Sequence, residues 1–188
     1  MHALGLLLAL FAAPFWDAKA PPQWSDAELK QILSDSPWAQ LISSPEPGVL
    51  VFLASARPIE EAEIEFARRR SHQAPWINEE YSDYLRENRG KCLVLAIPYS
   101  NYNALSDAAE SRHMEEECVL KAGHKEYKMT GHFPPVPSDP YLRLIFPRAV
   151  GPEDKAFSFE LYVPGFVNPY RRVEFRVKDL YYKGRLEM

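Results

Sequence analysis

The chain has 188 residues, of which 46% are apolar, 22 are basic and 26 are acidic, so its formal net charge is −4. This length suits one domain, and the apolar share excludes a disordered chain and makes a disulfide scaffold unnecessary for folding. The acidic balance argues against a nucleic-acid partner, because such binding depends on an excess of basic side chains. Proline is abundant at 17 residues, whereas glycine is scarce at 8.

The chain begins with an apolar stretch. Ala3–Trp16 is 14 residues long and carries no charge, which is shorter than the roughly 18 to 20 residues of a membrane span and typical of a signal-peptide core. Ala18-Lys19-Ala20 offers small residues for cleavage, and an earlier cut could follow Ala12 or Ala13. A retained anchor and a buried N-terminal helix are the alternatives.

This start predicts the compartment and the domain boundaries. We expect residues 1–20 to be a signal peptide and residues 21–188 to form a single exported domain, periplasmic or extracellular, without a transmembrane span in the mature chain. We also expect the mature protein to be a monomer.

Three helices are predicted in the first half. Ser25 and Glu28 have capping-box spacing, which predicts a helix that ends near Ser36. Pro58–Arg70 has a proline in its first turn and apolar residues at helical spacing, and Asn78–Glu87 is the third predicted helix.

Two continuous apolar runs, Val49–Leu53 and Cys92–Ile97, are typical of strands buried on both faces. The order of strand, two helices and strand would suit a crossover connection if the two strands were neighbours. A mixed sheet with a parallel βαβ unit over residues 49–97 is therefore the alternative fold.

The second half alternates apolar and polar residues. Phe157–Val163 and Val173–Lys178 follow this pattern on either side of Pro164-Gly165, which predicts an antiparallel hairpin. The proline-rich run Phe133–Pro140 is predicted to be extended, as a rigid crossover between sheets or as a docking peptide. Further strands are predicted at Glu116–Lys121, His124–Met129, Leu142–Phe146 and Arg185–Met188.

The count is about eight strands. Together with the helices of the first half, this predicts an α+β fold with a mainly antiparallel sheet or a two-sheet sandwich.

The two cysteines are separated by 25 residues. In an exported protein Cys92 and Cys118 could form a disulfide, while two buried free thiols are the alternative. Neither belongs to a CxxC motif, so no metal site is predicted.

Two segments provide candidate ligand-binding residues. Ser55 and Arg57 lie where a buried strand meets the start of a helix, a place suited to holding an anion. Tyr99, Asn101 and Tyr102 belong to a polar aromatic loop after the second buried strand, and loops of this composition can bind sugars or peptides.

No catalytic motif is present, neither a nucleophile elbow nor a zinc, phosphate or dinucleotide signature, so no catalytic residue and no cofactor is predicted. The leading hypothesis is a non-catalytic binding or structural module of the bacterial cell envelope, with an envelope protein or a glycan as its partner. The alternative is an envelope hydrolase whose residues converge only in the fold, with His113, His124 or His132 beside a carboxylate and a serine or cysteine.

Several short segments carry a resemblance: the opening Trp24-Ser25 to Trp38-Ala39, Ser55-Ala56-Arg57-Pro58-Ile59, Leu144-Ile145-Phe146-Pro147-Arg148, and Tyr182-Lys183-Gly184-Arg185-Leu186-Glu187. Together they resemble a group of secreted proteins of soil bacteria, chiefly acidobacteria, that has no assigned activity. The resemblance implies export and a single small domain.

Overall fold

The computed structural model describes residues 13–70 and 78–188. Over these residues the chain has an α+β fold with mainly antiparallel sheets, as the sequence predicts. Most of the predicted signal-peptide core lies outside the described residues.

Six helices are present in the described part of the chain. The three predicted from sequence are present, and the capping box predicted at the first of them forms, with the Ser25 hydroxyl accepting the Glu28 N–H at 3.2 Å. Asn78, predicted as part of the third helix, is instead its N-terminal cap. The bounds are α1 (Phe15–Ala18), α2 (Asp26–Ser34), α3 (Arg57–Arg70), α4 (Glu79–Glu87), α5 (Tyr102–Ser106) and α6 (Ala108–Glu117).

The strands form two main sheets and one small hairpin, in all of which neighbours are antiparallel. The bounds are β1 (Ala39–Ile42), β2 (Val49–Leu53), β3 (Cys92–Pro98), β4 (Val119–Ala122), β5 (Lys125–Lys128), β6 (Gly131–Phe133), β7 (Tyr141–Pro147), β8 (Ala156–Tyr162), β9 (Tyr170–Arg176), β10 (Tyr181–Tyr182) and β11 (Arg185–Leu186). The five-stranded sheet has the order β1-β2-β3-β7-β6, and the four-stranded sheet has the order β5-β4-β8-β9.

The five-stranded sheet is the middle of three layers. Because successive side chains of a strand point to opposite faces, Phe146 of β7 faces the four-stranded sheet, where its ring lies 4.9 Å from that of Phe159. Arg143, three residues earlier, faces the other way, towards α3 and α4. The helices and the four-stranded sheet thus cover opposite faces of the central sheet.

The alternative of a parallel βαβ unit over residues 49–97 is wrong. β2 and β3 are neighbours but antiparallel, with Phe52 opposite Ala96. The Glu60–Arg89 ion pair joins the start of α3 to the residues just after α4, so these helices run in opposite directions. Two antiparallel helices return the chain to the end of the sheet that it left, so the next strand must run back along β2.

The segment before β4 differs from its prediction. Glu116–Lys121 was expected as a strand, but the chain is helical as far as Glu117 and β4 begins at Val119. The Asp107 carboxylate starts this helix by accepting the N–H groups of Ala109 and Glu110 at 2.8 and 3.2 Å. Helices are therefore not confined to the first half of the chain.

The proline-rich run does not cross between sheets. Val136 and Asp139 exchange two backbone hydrogen bonds of 2.9 Å around a tight turn. This turn links β6 to β7, which pair within the same sheet with Phe133 opposite Arg143. The predicted hairpin around Pro164-Gly165 is confirmed, since β8 pairs with β9 along their full lengths.

Both cysteines are free and buried, so the predicted disulfide is absent and the alternative of two thiols holds. Cys92 lies on β3 of the central sheet, whereas Cys118 caps α6 and contacts the backbone of Tyr162. Burial raises the pKa of both thiols, that of Cys118 to about 11. Neither thiol is activated as a nucleophile at neutral pH.

Across residues 13–70 and 78–188, every helix is too short or too polar to serve as a membrane span. Within the same ranges, His, Cys, Asp and Glu side chains form no group of three that could hold a metal ion.

Candidate ligand-binding site

A cluster of charged side chains is buried between the helices and the central sheet. The guanidinium of Arg143 lies 2.8 Å from a carboxylate oxygen of Glu63 and 2.9 Å from one of Asp139. The Arg143 side chain is 1% exposed, and those of Asp139 and Glu63 are 3% and 9% exposed.

Each member of this cluster is positioned by a different element. Arg143 extends from the inner strand β7, Asp139 ends the tight turn before that strand, and Glu63 belongs to the face of α3 that covers the sheet. A second hydrogen bond to each carboxylate, at 3.0 Å for Asp139 and 3.4 Å for Glu63, makes both contacts bidentate.

Two tyrosine rings enclose the guanidinium. The Cζ atom of Arg143 lies 4.1 Å from the ring centre of Tyr81 and 5.3 Å from that of Tyr141. The hydroxyl of Tyr81 is buried and has no hydrogen-bond partner among residues 13–70 and 78–188. Burial raises the pKa of both tyrosines, that of Tyr141 to about 12, so both stay neutral.

The electrostatics of the cluster follow from burial. Burial alone would lower the pKa of Arg143, but the carboxylates of Glu63 and Asp139 raise it well above its ordinary value. The loss of solvent raises the pKa of Glu63, and Arg143 opposes this change only in part. Glu63 is therefore more easily protonated than an exposed glutamate.

A cavity of about 370 Å³ opens beside Glu63, between α2, α3 and the strands beneath them. Its walls are apolar and aromatic, the nearly buried side chain of Glu63 belongs to its lining, and two exposed basic side chains stand at its rim. The rim guanidinium of Arg70 lies over the Phe66 ring, 4.0 Å from its centre. The lining residues are Lys30, Leu33, Ser34, Leu50, Glu63, Phe66, Arg70 and Tyr141.

The volume and the lining of this cavity match those of small-molecule binding sites. Small-molecule sites usually span about 300 to 1,000 Å³ and combine apolar walls with a few polar groups. A larger cavity of about 960 Å³ lies at the edges of β1 and β9, but its lining is more polar, with charged residues along its length, among them Asp35, Glu174, Arg176 and Lys178. We therefore treat the cavity at Glu63 as the candidate site.

The residues predicted at the end of β2 do not reach this cavity. The hydroxyl of Ser55 accepts the Val94 N–H at 2.9 Å and so completes the pairing of two strands. Arg57 is 53% exposed and donates to Glu61, one turn along α3, at 2.8 Å. Both side chains are therefore used in contacts within the protein.

The aromatic loop lies at the other end of β3. The Tyr99 hydroxyl donates to the Pro164 carbonyl at 2.7 Å, and the Asn101 amide donates to the Gly165 carbonyl at 3.2 Å. Both therefore hold the β8–β9 turn, where Gly165 has a φ of +72°. Tyr102 is 44% exposed on α5.

The two predicted groups of site residues are far apart. Ser55 bonds to Val94, whereas Tyr99 lies five residues further along the same strand direction, roughly 17 Å away at strand spacing. The structure does not assemble them into one site.

The three histidines are also apart from the cavity. His113 stacks on Tyr162 with ring centres 4.2 Å apart, and His132 faces Glu115 at 3.8 Å. His124 is exposed in the turn between β4 and β5. Among the described contacts of these rings, none involves a serine or a cysteine.

The cluster at Arg143 was not predicted, although the sequence contains a signal for it. Arg143 is a single charge within the apolar run Tyr141–Pro147, and a charge at the centre of a buried strand requires a partner. Glu63 lies on the same helical face as Ile59 and Phe66, which marks it as the partner from α3.

Comparison with known proteins adds no family to this geometry. The chain matches no protein-family model, no characterised protein and no solved structure. A function for the site therefore has to be argued from its own residues.

Proposed function

We propose that this protein is a non-catalytic binding module of the bacterial cell envelope and that its ligand is a small amphipathic anion. The observation that carries the proposal is the 370 Å³ cavity between α2 and α3, with apolar walls and two basic side chains at its mouth. The export component rests on the uncharged N-terminal run and on the resemblance to secreted proteins of soil bacteria.

The chemistry of the lining selects the ligand. Leu33, Leu50 and Phe66 offer apolar contact to a chain or ring. At the mouth, Lys30 and Arg70 favour a carboxylate or another anionic group. The nearly buried Glu63 disfavours a second anion, so the ligand carries its charge at one end only.

The buried cluster suits binding better than turnover. Arg143 is bonded to both neighbouring carboxylates, which keeps its guanidinium from a ligand. Ser34 lines the cavity, but its hydroxyl donates to the Lys30 carbonyl at 2.7 Å. These contacts support a rigid inner wall and no activated nucleophile.

The test is calorimetric titration with 4-phenylbutyrate and decanoate, each compared with its neutral amide. We expect the acids to bind and the amides to bind up to about fivefold more weakly, because a partly exposed ion pair contributes up to about 1 kcal/mol. Lys30→Ala should reduce that preference, while Lys125→Ala, an exposed lysine on β5, should not.

Leu50→Trp tests the location of the site. The indole fills space in a wall that is only partly buried, so binding should be lost with little change in melting temperature. Binding that survives Leu50→Trp, or no binding of either acid by the wild type, would overturn the cavity proposal. Hydrolysis of an ester or glycan by the wild type would instead favour the envelope hydrolase. Stable binding of a glycan would favour the glycan partner predicted from the sequence over a small anion.

A further inference from the structure

A short segment at the start of the described chain packs against the domain. The Phe15 ring lies edge-on to that of Trp24, with ring centres 6.2 Å apart, and Trp16 lies edge-on to Trp38 at 5.8 Å. Trp24 and Trp38 are almost completely buried, at 1% and 0% exposure. The segment therefore helps to cover two large aromatic side chains of the core.

Polar contacts fix the same segment at two further points. The backbone N–H of Lys183, beside the β10–β11 hairpin, donates to the Asp17 carboxylate at 2.7 Å. The ammonium of Lys19 lies 2.5 Å from the carboxylate of Glu28. Glu28 also accepts the Ser25 N–H at 2.7 Å, so Lys19 contacts the capping box of α2.

These contacts reach separate parts of the domain. They involve Trp24 and α2, Trp38 just before β1, and the C-terminal hairpin. Trp16 and Asp17 also form one wall of the 960 Å³ cavity. A passive linker to a removed leader would not be expected to make aromatic, ionic and backbone contacts over five residues.

We infer that Phe15–Lys19 is a permanent part of the folded domain and that any N-terminal processing of this chain cuts before Phe15. Processing would hydrolyse one peptide bond, consuming one water and leaving a carboxylate on the released peptide and an amine on the domain. The pair Ala18 and Ala20 is then not the cleavage site, and the mature domain starts at Phe15 or earlier. The first part of this inference, that Phe15–Lys19 packs as part of the domain, is independent of the proposed function. The second part, the position of the processing cut, rests on the proposal that the protein is exported.

The packing part is tested by comparing chains that start at Pro14 and at Pro21. The chain from Pro21 should melt at least about 5 °C lower, because it loses aromatic contacts with two buried tryptophans. Equal melting temperatures would overturn the inference.

Point variants keep the test decisive if the shorter chain does not fold. Trp16→Ala should lower the melting temperature by roughly 3–6 °C, whereas Tyr102→Ala, a partly exposed aromatic on α5, should change it by less than about 2 °C. Asp17→Ala should increase amide hydrogen exchange at Lys183 by at least threefold. No change in either variant would overturn the inference.

The processing part is tested by intact mass of the full chain expressed in a bacterial host and recovered from its envelope. A chain that retains Phe15–Lys19 supports the inference, and a chain that begins at Pro21 contradicts it. Recovery only from the cytoplasm would contradict the proposal that the protein is exported. The packing of Phe15–Lys19 against the domain would still be tested by the melting temperatures.

Discussion

Arg143 is the shared cationic partner of two carboxylates in a region between helix and sheet that excludes most water. Its bidentate contacts with Glu63 and Asp139 have distances of 2.8 to 3.4 Å. Such a network can contribute little net stability when complete, because desolvation offsets the attraction, yet it becomes costly when one partner is removed. The cluster therefore acts as a rigid support for the cavity wall.

Arg143→Met should lower the free energy of unfolding by about 3 to 5 kcal/mol, because Glu63 and Asp139 would remain buried without a cation. Urea titration at pH 7 measures this change. Arg172→Met is the matched control on an exposed position of β9, and it should change stability by no more than about 0.5 kcal/mol. Equal effects of the two substitutions would contradict the role given to the buried cluster.

Glu65 makes stability depend on acid pH. Hydrogen bonds from Arg68, and then from Arg69, lower the pKa of this buried glutamate from 4.5 to about 2. The folded state therefore binds fewer protons than the unfolded state between these values. The stabilisation is fully present above pH 4.5 and is lost as the pH falls towards 2.

Replacing Glu65 with glutamine should remove this part of the acid dependence. We expect the free energy of unfolding of Glu65→Gln to fall less than that of the wild type between pH 5 and pH 2.5, as measured by urea titration. Glu116→Gln, at an exposed position on α6, should keep the slope of the wild type. A wild-type slope in Glu65→Gln would show that other groups cause the acid dependence.

At the level of elements, helix starts follow local side chains. Ser25 and Glu28 form a reciprocal capping box at α2, and Asp107 caps α6 with two hydrogen bonds. The first was predicted because a capping box has a fixed spacing. The second was missed because no element was predicted over residues 108–115, and Glu116–Lys121 was expected as a strand. In both helices the cap supplies acceptors for N–H groups that have no partner within the helix.

Ser25→Ala should destabilise the protein by about 1 kcal/mol, the usual effect of removing a capping hydroxyl. Thermal unfolding followed by circular dichroism measures the change. Ser25→Asp retains an acceptor at the same position and should stay within a few tenths of a kcal/mol of the wild type. If the alanine and aspartate variants were equally destabilised, the cap would not be the cause.

In the whole molecule the two main sheets share one core. Phe159 of the four-stranded sheet lies against Phe146 of the central sheet and packs with Phe157 and Phe175 of its own sheet. Because this contact joins the layers, neither sheet has a separate core. The described domain should therefore unfold in one cooperative transition.

Phe159→Ala should lower the free energy of unfolding by about 3 to 5 kcal/mol, since it leaves a cavity between the sheets. The transition should remain single when fluorescence and circular dichroism are compared. Leu41→Ala is the control, because Leu41 is 65% exposed and its loss should matter little. Two separated transitions in the wild type would contradict a shared core.

Local patterns were sufficient for much of the architecture. The apolar runs at Val49–Leu53 and Cys92–Ile97 predicted buried strands, and the alternation on either side of Pro164-Gly165 predicted the β8–β9 hairpin. Both predictions depend only on which neighbours in sequence are apolar. The direction of β3 relative to β2 could not be obtained in this way, because it depends on the path of α3 and α4 between them.

The sequence by itself determined the fold class, three helices with the capping box of the first, and the strands with the clearest apolar periodicity, because each follows from interactions within a few residues. Only the tertiary structure decided that Arg143, Glu63 and Asp139 share one buried cluster, that a cavity opens beside Glu63, and that the two cysteines stay apart as thiols. The physical reason is that these groups belong to different elements, and their distances depend on how helices and sheets pack.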